Sequence, residues 1–142
     1  MRFTRLEWCG SENKGYYWPL KDSEDNVDYL WQFLHRIGSS HGTLLKIIGK
    51  EDISGTAIFT VEANVYISSE CDDLRWQQRI VLKDDPRYLF KTTRQGFVDL
   101  IKQWIKVHKL YPPGISIEEV STDVWQVRPM TQEDVERCKL SR

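Results

Sequence analysis

Cysteine is scarce in this chain. Cys9, Cys71 and Cys138 are the only three, odd in number and far apart. No two stand at the short spacing of a zinc site or redox motif, so neither a disulfide framework nor a cysteine-built metal site organises the fold. A reducing compartment is therefore expected. Charge of one sign is not in excess either: 20 Lys+Arg against 21 Asp+Glu leave a net charge of -1. That balance gives no global pull toward nucleic acid or an anionic membrane. No apolar run approaches the roughly 18 residues of a membrane span. Residues 1–8 alternate charged and apolar side chains, which is not the pattern of a secretory leader. Internal repeats, low-complexity tracts and linkers are missing too. The expectation is one domain over residues 1–142, cytoplasmic, with no membrane or nucleic-acid partner. The oligomeric state is left open.

What the chain does have is tryptophan, six in 142 residues. Each carries a large apolar ring and one N–H that needs a partner when buried. A surplus beyond the core points to recognition, because Trp, Tyr and Arg dominate interface hot spots.

The pattern of apolar residues predicts the elements. Residues 2–8 read as a strand with Thr4, Leu6 and Trp8 on one face. A loop follows, then the aromatic cluster Tyr16, Tyr17 and Trp18 before Pro19. Asp22 or Ser23 caps a helix whose stripe is Val27, Leu30, Trp31, Leu34 and Ile37, stopped by Gly38. Leu44 to Ile48 is short and nearly all apolar, which predicts a buried strand. Residues 57–67 alternate as one long strand, and residues 74–82 pair with it as a hairpin. Thr92 or Thr93 caps a second helix carrying Phe97, Leu100, Ile101, Trp104 and His108, ended by Pro112-Pro113-Gly114. Two strands, 115–120 and 124–128, flank a turn, and Thr131 with Asp134 caps a short last helix. The class is α+β: a mostly antiparallel sheet, two long amphipathic helices packed on one face, and a short C-terminal helix.

Candidate chemistry is thin. Gly38-Ser39-Ser40-His41-Gly42 matches G-x-S-x-G, but a nucleophile elbow needs a strand before and a helix after, and the predicted order here is reversed. His35, His41 and His108 lack metal-ligand spacing. The pairs Asp72-Asp73, Asp84-Asp85 and Glu118-Glu119 read as solvated turns and a strand edge rather than a Mg²⁺ site. Lys102, Lys106 and Lys109 form a basic ridge, as the wet side of any surface helix does. Arg75, Gln77 and Arg79 give a polar strand face suited to cross-strand pairing. No catalytic residue, cofactor or metal is assigned.

Trp18-Pro19-Leu20 leads into a helix with Tyr29, Trp31 and Leu34, followed by a long alternating strand and Leu74-Arg75-Trp76-Gln77-Gln78-Arg79-Ile80-Val81. Over residues 16–82 this layout resembles small bacterial immunity proteins of the contact-dependent growth inhibition type. The resemblance implies a non-catalytic protein that binds and occludes a cognate toxin, often a nuclease. Aromatic anchors would be Trp8, Tyr16, Tyr17 and Trp18. Acidic groups facing a basic partner would be Asp22, Glu24, Asp25, Asp72, Asp73, Asp84 and Asp85. Two other readings compete. One is a small hydrolase or transferase using His41 or His35 with a carboxylate; the other is a nucleic-acid or ligand adaptor using the basic ridge. Trp31, Trp76 and Trp104 are expected in the core, Trp125 is ambiguous, and full burial of Trp8 and Trp18 would leave them as core as well.

Overall fold

The computed structural model describes residues 2–11, 14–20, 27–54, 57–68, 85 and 89–140. Its elements are β1 (Phe3–Gly10), β2 (Gly15–Pro19), α1 (Val27–Ile37), α2 (His41–Ile48), β3 (Ile58–Val61), β4 (Asn64–Ser68), β5 (Leu89–Thr93), α3 (Arg94–His108), β6 (Gly114–Ser121), β7 (Val124–Met130) and α4 (Gln132–Leu140). The strands form two antiparallel sheets, β2-β1-β6-β7 and β3-β4-β5. The class is α+β. The expected single sheet is two, and α1 and α3 each contact strands of both. One core joins them, with Leu6, Ile115 and Ile117 from the first sheet, Val65, Ile67 and Phe90 from the second, and Leu30, Leu34, Phe97 and Ile101 from the helices.

Several predicted elements appear where the local signals place them. Thr93 caps α3 by accepting from the Gly96 amide at 3.1 Å, and Phe97, Leu100, Ile101, Trp104 and His108 are its buried face. Thr131 and Asp134 exchange side-chain and backbone bonds at 3.1 Å each, a reciprocal cap at the start of α4. β6 and β7 form a hairpin whose turn holds Asp123 at φ 57.

Three segments differ from expectation. Residues 44–48 belong to a helix, α2, not a strand. Leu44 and Ile48 are buried and Leu45 is exposed, the i, i+4 spacing of a helix face. Residues 57–67 are not one strand. Glu62 and Ala63 turn the chain, with Glu62 at φ 55, and Val61 pairs with Asn64 across β3 and β4. Phe59 then lies opposite Tyr66, so the turn puts odd positions of β3 on a face with even positions of β4. Phe59, Tyr66 and Leu89 form their own buried cluster on that face. Both edges of β4 are occupied, by β3 and β5; the predicted strand 74–82 lies outside the described residues. Third, the aromatic cluster is itself a strand: β2 pairs with β1 in register Trp8 with Tyr17 and Glu7 with Trp18. The predicted caps Asp22 and Ser23 lie outside the described residues.

Candidate functional site

β2 is an edge strand of the four-stranded sheet, and its alternation divides the aromatic cluster. Tyr17 turns inward and is buried, whereas Tyr16 and Trp18 on the opposite face are 49% and 46% exposed. Gly15 allows the close approach behind them. A Cβ there would come within 2.6 Å of the Trp8 ring, so a larger residue would displace that indole.

This hairpin, two helices and the segments that follow them line a cavity of about 410 Å³. β1 contributes Leu6 and Trp8, and β2 contributes Tyr16 and Tyr17. α1 adds Trp31, Leu34 and His35; α3 adds Trp104 and His108, and Tyr111 stands at the mouth. Tyr111 has φ 47, a left-handed conformation uncommon for a bulky side chain. It is held by a helix-terminal bond from its amide to the His108 carbonyl at 3.1 Å.

The rings meet edge to face. Tyr17 lies 5.1 Å from Trp8, 6.3 Å from Trp104 and 5.7 Å from His108. Trp8 lies 5.9 Å from Tyr111. A second group runs along the rim: Trp18 is 4.9 Å from Trp31 and 5.7 Å from His35, and Tyr16 is 5.5 Å from His35. Such offset and perpendicular pairs add about 0.5–1.5 kcal/mol each beyond area burial.

The polar ends of these rings point to partners in the protein. Tyr17 Oη donates to the Pro112 carbonyl at 2.7 Å. Trp104 Nε1 donates to the Gly38 carbonyl at 3.0 Å, and Trp31 Nε1 to Asp28 Oδ1 at 3.1 Å. Burial, and then the Tyr111 phenol, push the Tyr17 hydroxyl above its ordinary range, so it stays a donor.

His41 and His108, on different helices, form a ring nitrogen pair with Nε2 and Nδ1 2.8 Å apart. Such a bond requires one nitrogen protonated and the other bare. Burial, then the neighbouring His41, lower His108 to about 4. Burial and then Lys109 lower His41. The pair is uncharged at neutral pH. Neither His41 nor His35 bonds to a carboxylate among the described residues, and no group of three or more His, Cys, Asp or Glu there is placed to hold a metal.

The tryptophans divide differently from expectation at one position. Trp104 and Trp125 are buried, and Trp125 Nε1 finds Thr92 Oγ1 at 3.0 Å. Trp31, expected in the core, is half-buried and lines the cavity instead. Its side of the α1 stripe meets the edge strand β2, where no further strand covers it among the described residues. Trp8 is half-buried at the same cavity. Trp76, Asp22, Glu24, Asp25, Asp72, Asp73 and Asp84 lie outside the described residues. Asp85 is described and half-buried; its carbonyl accepts from the Leu89 amide at 3.3 Å.

The other motifs have structural partners. Glu119 is buried and takes Arg2 at 2.9 Å, while Glu118 meets Arg128 at 3.6 Å. Burial raises the Glu119 carboxyl, but the Arg2 guanidinium, then the Asp123 amide, outweigh it and hold the group below its ordinary value. Arg2 also lies over the Phe90 and Trp125 rings, 5.0 and 4.9 Å from their centroids. Lys102, Lys106 and Lys109 are exposed on α3. Ser40, the serine of the G-x-S-x-G match, stands at the N-cap of α2 with α1 before it, a helix on both sides, which is not the strand-to-helix setting of a nucleophile elbow. Among the described residues no helix is long and apolar enough to cross a membrane. No family model, curated protein or solved structure matches the chain.

Proposed function

We propose that this chain is a non-catalytic binding protein whose recognition surface is the aromatic cavity and its rim, in the cytoplasm of a bacterium. Its partner is a protein, and toxin neutralisation by occlusion is the most specific form of the reading. One observation carries it: Tyr16, Trp18 and Tyr111 stay 49%, 46% and 62% exposed around a concave, ring-lined cavity. Exposed aromatics next to a preformed cavity are the composition of interface hot spots. Trp8 and Trp31 support the same reading, since each packs against the core and still lines the cavity. The layout of residues 16–82 adds the immunity resemblance.

Growth rescue tests it. Each toxin-like domain encoded next to this chain's gene is expressed with and without the chain in a sensitive host, and the absence of any such neighbour would count against toxin neutralisation. Restored growth together with a co-purifying complex is expected. No rescue and no complex would rule the reading out.

A further inference from the structure

The cavity's chemistry narrows what it accepts. None of its lining side chains among the described residues is Asp, Glu, Lys or Arg, and eight of the twelve lining residues are aromatic or histidine. An anion would find no cationic side chain there. Tyr17, Trp31 and Trp104 spend their donors on Pro112, Asp28 and Gly38 rather than on the cavity. Donating outward leaves ring faces more electron-rich on the cavity side. The Asp28 carboxylate behind Trp31 adds negative potential at the rim. His108 contributes no positive charge at neutral pH, with its value lowered to about 4.

We propose that the cavity is an aromatic cage for an organic cation, an alkylated ammonium or a guanidinium head, held against the faces of Trp8, Trp31 and Tyr17. Ring quadrupoles attract such cations, most strongly from indole and in desolvated sites. The volume fits a small head group and its adjoining chain. The cation has two sources, a free small molecule or a side chain offered by a protein partner. The inference does not rest on toxin neutralisation, since the cage can bind while growth rescue fails, and the reverse.

The test is a titration of the intact chain by indole N–H NMR shifts, at neutral pH. Choline and Nα-acetyl-arginine N-methylamide are the cationic probes. 3,3-Dimethylbutanol and Nα-acetyl-norleucine N-methylamide are their neutral counterparts of similar shape. Each cation is expected to bind at least about tenfold more tightly than its neutral counterpart, the factor one desolvated cation–π contact supplies. Tighter choline marks a free quaternary ammonium, and tighter arginine amide a side-chain anchor. Trp31→Leu is expected to lose the preference and Trp31→Phe to retain most of it, both with a cooperative unfolding transition that shows the fold intact. Trp8→Leu and Trp8→Phe repeat the comparison on the other wall should Trp31→Leu fail to fold. Equal binding of charged and neutral probes, or no binding up to about 20 mM, would overturn the cage.

Discussion

At the scale of single residues, the buried polar side chains described have partners, Arg94 Nε excepted. Glu119 takes three bonds from Arg2 and one from the Asp123 amide. Arg2→Ala leaves that carboxylate buried and without its cation, so a loss of about 3 kcal/mol is expected in urea unfolding. The double variant with Glu119→Gln should recover part of it, because the unpaired charge is then gone. The His41–His108 pair sets a pH dependence. An unfolded His108 takes up a proton near the ordinary 6.5, the folded one only near 4. A folded value below the unfolded one means stability is full above about 6.5 and falls as the pH drops toward 4. The loss is of the order of 3 kcal/mol. The groups facing His108 are His41 from α2, Tyr17 from β2 and Tyr111 beyond α3, with Lys109 adjoining the pair. His108→Phe should flatten this slope in denaturation midpoints measured across that range. A slope unchanged in the variant would show that other groups set it.

At the scale of elements, the sequence was legible where local chemistry and long-range packing agree. α3 combines a Thr93 cap with a long apolar stripe, and α4 carries a reciprocal cap. The turn between β6 and β7 separates two alternating runs. Three elements were not legible, for distinct reasons. Leu44 to Ile48 is too short for its periodicity to separate helix from strand. The aromatic run Tyr16–Trp18 has no alternation of its own to mark an element, yet pairing with β1 makes Gly15–Pro19 a strand. Residues 57–67 hide their turn because Thr60, Glu62 and Asn64 continue the polar alternation through it, so the change of face at Glu62 and Ala63 leaves no break in the pattern. Gly42 tests the revised assignment of α2. It lies in the first turn of the helix, and a Cβ there meets nothing within 4 Å. Gly42→Ala is expected to stabilise the chain by about 0.5 kcal/mol in urea unfolding. Destabilisation would contradict a helix there. Glu62→Gly should likewise stabilise by about 0.5–1 kcal/mol, since the φ of 55 favours glycine.

At the scale of the whole molecule, the site is the product of topology. Trp8 and Tyr17 meet across a hairpin, but Trp31, His35, Trp104 and Tyr111 arrive from two helices and a loop. Sequence pattern singled out residues 8–20 by aromatic density. It could not show that Trp31 joins them or that His41 reaches His108 across 67 positions, because no local period encodes those meetings. The acidic residues expected to face a basic partner lie largely outside the described residues, so the aromatic surface carries the functional account. The most direct test separates stability from recognition at that surface. Tyr16 and Trp18 are about half exposed, so the double variant Tyr16→Ala/Trp18→Ala is measured for unfolding free energy and for affinity toward the protein partner recovered by growth rescue. A stability loss of about 2 kcal/mol, from the rim ring pairs, and an affinity loss of at least about thirtyfold, the scale of a hot-spot anchor, are expected. Unchanged affinity, or a loss of stability as large as that of a core tryptophan, would contradict this reading.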